Sequence, residues 1–169
     1  MRLTAETVYD ADPDTVFEMF LNEDFQHQRV LDSGAEESEV EIRLKGDGTD
    51  GAVITMHRHL PADILPSQLR GRFGDRLTLI QVEDWGPAGS DGSRRASLLA
   101  EVSSAPVRVT GSLRLMPDSA GGSRQSLDAE IKAKIPLVGG WIENGAGPVI
   151  RSTFEAEGRI GQEWLAAQA

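Results

Sequence analysis

Ile135-Pro136-Leu137-Val138-Gly139-Gly140-Trp141-Ile142-Glu143 opens a segment that keeps helical periodicity to Trp164-Leu165. The spacing predicts a helix over 140–167. Ile142, Ala146, Val149, Ile150, Thr153, Phe154, Ile160, Trp164 and Leu165 supply its apolar stripe. Pro148 lies inside it, lacks an amide and clashes with the carbonyl of Asn144, so a kink or short break is expected there. Gly145, Gly147, Gly158 and Gly161 each cost about 1 kcal/mol of helix stability relative to Ala. Such a cost has two explanations: close approach of a ligand or a flexible lid, or close packing of helix on sheet. A long, glycine-bearing closing helix after a series of strands is what a hollow grip of sheet and helix requires. The functional site would lie between the two.

The residues before it supply the strands. Leu3, Ala5 and Thr7 alternate with Thr4, Glu6 and Val8, so 2–10 reads as a strand. Asp12-Pro13-Asp14 then starts a helix, with Asp12 accepting from free amides and Pro13 at the first helical position. Val16, Phe17, Phe20 and Leu21 follow at helical spacing. Asn22 caps a second short helix over 23–32. Strand patterns follow over 38–46, 52–60, 76–85, 94–103, 107–116 and 124–135, separated by turn compositions such as Gly46-Asp47-Gly48-Thr49-Asp50-Gly51. In 76–85 both faces carry apolar residues, which leaves its parity open. The prediction is α+β: about seven antiparallel strands in a curved sheet, a long C-terminal helix, and two short helices after strand 1.

Composition narrows the function classes. The 169 residues carry a formal net charge of -10. That disfavours nucleic acid, whose phosphates need a basic partner surface. Arg70, Arg72 and Arg76, and more weakly Arg94-Arg95, are the basic clusters, and they read as solvated loop residues. With no cysteine there is no disulfide, thiol nucleophile or thiolate metal site. The first ten residues lack the apolar core of a signal peptide, and no apolar run approaches the roughly 20 residues of a membrane span. A single cytoplasmic domain over 1–169, without stable membrane insertion, is the expectation.

This order of elements resembles the helix-grip fold of the START-like (SRPBCC) superfamily, which includes birch-pollen-allergen-like proteins and polyketide cyclases. The marks are Asp12-Pro13-Asp14-Thr15-Val16-Phe17 opening the first helix, Trp85 closing a strand, and the run from Ile135 to Glu143. That run is similar to one in an uncharacterised family within the superfamily, which has no assigned activity. The resemblance implies a curved sheet wrapped around the last helix, with a cavity between them for a lipid, sterol, polyketide or other apolar molecule. Its expected wall is Val40, Ile42, Leu44, Ile54, Met56, Arg58, Val109, Leu113, Leu115, Leu127, Ala129, Ile131 and Ala133 on strands, with Val149, Ile150, Thr153 and Phe154 on the helix. Ala129, Ala133 and Gly111 are small for core positions and are expected to leave volume.

A few polar residues are candidates for chemistry. Arg58 shares the parity of Ile54 and Met56, so it points inward unless a bulge or strand end releases it to solvent. A buried guanidinium needs a partner and could hold a ligand carboxylate or phosphate. His57 and His59 share the opposite face, and with His27 the one remaining histidine they read as solvated rather than metal-binding. Glu143 in the first turn of the helix favours its dipole. Glu36-Glu37 lie near the expected cavity end, and Tyr9 reads as packing. Gly145-Ala146-Gly147 lacks dinucleotide spacing, Gly71-Arg72-Phe73-Gly74 is too short for a phosphate loop, and Ser103-Ser104 lacks a hydrolase context. No catalytic residue, cofactor or metal is assigned. The leading expectation is intracellular binding or transport of a hydrophobic small molecule or lipid. The alternatives are a polyketide cyclase or aromatase-like enzyme, and a ligand-free interaction module using Leu60, Ile64, Leu65 and Leu69. A homodimer through that segment or a sheet edge is left open.

Overall fold

A computed structural model describes residues 1–62, 67, 70, 71, 74–103 and 105–169, with Glu37 and Ser38 described by their backbone. The elements run β1 (Arg2–Tyr9), α1 (Pro13–Phe20), α2 (Glu23–Leu31), β2 (Glu37–Leu44), β3 (Ala52–Pro61), β4 (Arg76–Trp85), β5 (Arg94–Val102), β6 (Val107–Pro117), β7 (Ser123–Ala133) and α3 (Gly139–Gln168). Both short helices start where the sequence places their caps. Asp12 accepts from the Thr15 amide at 2.9 Å and Asn22 from the Phe25 amide at 3.1 Å. The helical assignment of α3 continues through Pro148 without the short break that proline suggests.

The seven strands form one antiparallel, curved sheet in the order β1-β7-β6-β5-β4-β3-β2. Strands β2 to β7 are a meander of neighbours in sequence. β1 closes the order beside β7, with Leu3 opposite Ala129 and Ala5 opposite Leu127. The helix α3 packs on β1, β7 and α2. This is the α+β helix-grip fold.

Aromatic rings fill one end of the grip. Phe20 lies 5.5 Å and Phe17 5.9 Å from Trp85, centroid to centroid, and Phe25 stacks on Phe20 and meets Trp164 edge-on at 5.7 Å. Such rings bury large apolar areas and pack with specific geometry. Space between sheet and helix therefore opens away from the Trp85 end. The glycines of α3 explain the other boundary. A Cβ added at Gly158 would lie 2.0 Å from Thr7 Oγ1, and one at Gly161 would lie 2.7 Å from Tyr9 Cε1. Close packing of helix on β1, not ligand approach, accounts for both.

Candidate functional site

Alternation in the strands decides which side chains meet α3. On β3, Ile54, Met56 and Arg58 are buried while Thr55, His57 and His59 are only half-buried. There is no bulge, so Arg58 does point inward, with 3% of its surface exposed. The β3–β4 register sets Arg58 opposite Leu79, Met56 opposite Gln81 and Ile54 opposite Glu83. Leu79, Gln81, Glu83 and Trp85 thus share the inward parity of β4, and two of them are polar. On α3, Phe154, Glu157, Gly158 and Gly161 form the buried stripe. On α2, Arg29 follows Phe25 by one helical turn and is buried like it.

Between the sheet and α3 lies a cavity of about 300 Å³. Its apolar lining comes from Leu60, Leu79, Leu98, Ala100, Val109, Leu113 and Leu127 on the strands and Val149, Ile150 and Phe154 on α3. Thr153 and the Ser33-Gly34 turn complete it beside Arg29, Arg58, Gln81, Glu83 and Glu157.

The four ionised groups form a chain of ion pairs. Arg29 donates from Nη2 to Glu83 Oε1 at 2.7 Å and from Nε to Glu157 Oε2 at 2.8 Å. Arg58 donates from Nη2 to Glu157 Oε1 at 2.8 Å. Neutral groups finish the arrangement. Gln81 Nε2 reaches Glu83 Oε1 at 2.8 Å, Trp85 Nε1 reaches Glu83 Oε2 at 3.0 Å, and Gln26 Oε1 accepts from Arg29 Nη1 at 3.2 Å. All four charged residues are buried. Taking one ion out of water costs several kcal/mol even after relaxation, so alternation of sign and full hydrogen bonding of the carboxylates are what let the cluster exist. Burial pushes the Glu157 carboxyl up. The guanidiniums of Arg29 and Arg58 outweigh that and hold it below the ordinary carboxylate range. Burial likewise opposes the charge on Arg29, but Glu157 and Glu83 overcome it and keep the group protonated. Arg58 Nε is a buried donor without a partner among the described residues.

Of the expected wall, the structure brings Arg58, Val109, Leu113, Leu127, Val149, Ile150, Thr153 and Phe154 onto the cavity. The other positions need correction. Val40, Ile42 and Leu44 lie on the edge strand β2, away from the cavity, and Leu44 is 48% exposed. Ile54, Met56 and Leu115 have the right parity but are fully buried in packed core, with Ile54 and Leu115 toward the Trp85 end. Ala129, Ile131 and Ala133 are buried on β7, the strand beneath α3. Small residues there bring helix and sheet together instead of leaving volume. Gly111 does the same within the sheet, where an added Cβ would lie 2.3 Å from the Asp128 carbonyl oxygen.

Arg29, Gln81, Glu83 and Glu157 are the residues that sequence reasoning missed, together with Ser33, Gly34, Leu60, Leu79, Leu98 and Ala100. A signal existed for most of the polar ones. Trp85 anchors the parity of β4 and carries Glu83 and Gln81 inward with it, and Glu157 sits three residues after Phe154 on the helical stripe.

The other candidates have ordinary surroundings. Glu143 accepts from the Ala133 amide at 2.8 Å and the Met1 amine at 3.1 Å, and these hydrogen bonds hold its carboxyl below the usual range. The Tyr9 hydroxyl donates to Gln125 Oε1 at 2.9 Å, and burial pushes its pKa up. His59 Nδ1 lies 3.2 Å from Thr78 Oγ1, and among the described residues no group of three His, Asp or Glu side chains is placed to hold a metal. Glu36 pairs with Arg76 at 3.1 Å on the surface, and Arg94 lies 4.0 Å above the Phe17 ring. Among the described residues no helix is long and apolar enough to cross a membrane. Ile64, Leu65, Pro66, Leu69, Arg72, Phe73 and Ser104 lie outside the described residues.

Comparison with known proteins agrees with this architecture. A family profile described as "Protein of unknown function (DUF2505)" matches residues 4–165. An uncharacterised protein of Mycobacterium tuberculosis, Rv0481c, is 27% identical over 161 residues, covering 93% of this chain and 92% of that protein. The crystal structure of TTHA0849 from Thermus thermophilus is 17% identical with a TM-score of 0.66, covering 100% of this chain and 99% of that one. A START superfamily protein from Mycobacterium smegmatis is 12% identical with a TM-score of 0.56, covering 95% of this chain and 97% of that one. At such identities the structural likenesses show the fold alone.

Proposed function

The chain belongs to the family described as "Protein of unknown function (DUF2505)", with a START-like fold, and we propose that it binds a hydrophobic small molecule or lipid between sheet and α3. The observation that carries this reading is the cavity itself: about 300 Å³, walled on most sides by Leu, Val, Ile, Ala and Phe side chains. Small-molecule sites are concave, mostly apolar, and span roughly 300–1,000 Å³, with a few placed polar groups. This cavity sits at the low end of that range. It suits a compact ligand, or the apolar part of a larger one. Apolar surface leaving water supplies the driving force, roughly 25 cal/mol per Å² buried. The role expected is carriage or storage inside the cell.

Native mass spectrometry of the freshly purified protein, followed by solvent extraction, tests the reading directly. A discrete adduct that leaves on denaturation supports it and gives the ligand class. If titration with apolar amphiphiles yields no adduct either, a ligand-free interaction module takes its place.

One observation favours a second reading, an enzyme of the cyclase or aromatase type: polar side chains do converge on the cavity. Against it, Glu157 is held ionised with both oxygens engaged. A general acid or base works best with a pKa near the working pH. Multiple turnovers that cyclise a linear poly-keto chain would establish the enzyme.

A further inference from the structure

The side of the cavity built by α2, β3, β4 and α3 carries charges in strict alternation: Glu83, Arg29, Glu157, Arg58. The series ends on a cation. Each carboxylate oxygen already accepts at least one hydrogen bond: Glu83 from Arg29, Gln81 and Trp85, and Glu157 from Arg29 and Arg58. Among the four charged groups the capacity left over is donor capacity, and it belongs to Arg58. Its Nη2 serves Glu157 and lies 3.8 Å from Met56 Sδ, its Nη1 makes no hydrogen bond among the described residues, and its Nε is buried with no partner. Buried polar groups are satisfied in the great majority of structures, and an exception calls for a specific explanation. Nε itself is closed off from the cavity, which leaves Nη1 as the unengaged donor of a side chain 3% exposed on the cavity wall.

We propose that the head group chosen by this cavity is a carboxylate, carried on an apolar chain, that accepts from Arg58 Nη1. The proposal rests on the cavity being a ligand site. A carboxylate continues the alternation of charge by one more member. It accepts without donating, which suits a site whose own carboxylates are engaged, and its hydrogen bonds to a guanidinium are charge-assisted and about twice as strong as neutral ones. An ammonium head would meet a cation, and both carboxylates beside it are already engaged. A hydroxyl brings no negative charge to the guanidinium, so its bonds there are weaker. Arg58 is then a specificity-determining residue, and the apolar wall from Leu98 to Leu127 takes the chain.

Isothermal titration calorimetry of the whole protein with octanoate, octan-1-ol and octylamine at neutral pH decides this. Octanoate is expected to bind about tenfold to a hundredfold tighter than the alcohol, and the amine to show no saturable binding. Arg58→Gln is expected to remove that preference while the alcohol's affinity stays within about threefold. Equal affinity for acid and alcohol in the native protein overturns the proposal and leaves the binding reading intact. Binding of none of the three overturns the binding reading and this proposal with it. A preference for octanoate that survives in a folded Arg58→Gln, checked by its thermal transition, removes Arg58 from the role. The native protein's ranking of the three ligands decides the head group even if the variant does not fold.

Discussion

Glu157 is the residue on which the buried charges depend, because it accepts from both Arg29 and Arg58 at 2.8 Å. Glu157→Gln leaves Arg29 with Glu83 and leaves Arg58 with no carboxylate among the described residues. Removing one partner of a buried ion pair costs about 3–5 kcal/mol, and urea unfolding at neutral pH should show a loss of that order. The same contact has a pH signature. The carboxyl is held below the ordinary glutamate value of 4.5, so between the folded and unfolded pKa values the unfolded state binds more protons. The stabilisation is present above the unfolded value and is lost as pH falls through the folded one. The gap in urea midpoint between native protein and Glu157→Gln should therefore narrow on acidification. A gap that stays constant down to about pH 3 would remove Glu157 from the acid response.

At the scale of one element, α3 carries glycines of opposite consequence. Gly158 meets Thr7 on β1, where an added Cβ would fall 2.0 Å from Oγ1, whereas nothing lies within 4 Å of a Cβ added at Gly145. Gly145→Ala should raise stability by up to about 1 kcal/mol through helix propensity. Gly158→Ala gains the same propensity but forces helix and strand apart, an overpacking cost of about 1–3 kcal/mol, so its net effect should be a loss. Denaturant midpoints of the two variants test this, and a gain from both would mean that α3 does not sit so closely on β1. Periodicity made this helix and the glycines inside it legible. It could not say which glycines touch β1, because contact depends on a strand at the other end of the chain.

For the molecule as a whole, the prediction concerns where empty space lies. Ala100 lines the cavity on β5, while Ala129 is buried on β7 beneath α3. Ala100→Phe should fill the space and abolish ligand uptake while the thermal transition persists. Ala129→Phe should instead disturb the fold, since it has only packed neighbours to displace. Native mass spectrometry with octanoate, beside circular dichroism melts, separates the two. Undiminished uptake by a folded Ala100→Phe would place the ligand elsewhere.

Local chemistry determined much of this protein. The caps at Asp12 and Asn22, the turns, the period-two strands and the helical stripe are properties of neighbouring residues, so the elements and their order could be read along the chain. The inward direction of Arg58 was legible in the same way, from the parity of Ile54 and Met56. Tertiary structure alone decided which inward residues face space and which face one another. The aromatic cluster around Trp85 filled one end, and the close seat of α3 on β1 and β7 removed the volume expected beside Ala129 and Ala133. Strand register, with helix packing above it, also brought Glu83, Arg29, Glu157 and Arg58 from four separate elements into one chain of charges. Periodicity assigns a side chain to a face. The volume above that face, and the charges that meet there, depend on elements distant in sequence, and those only folding brings together.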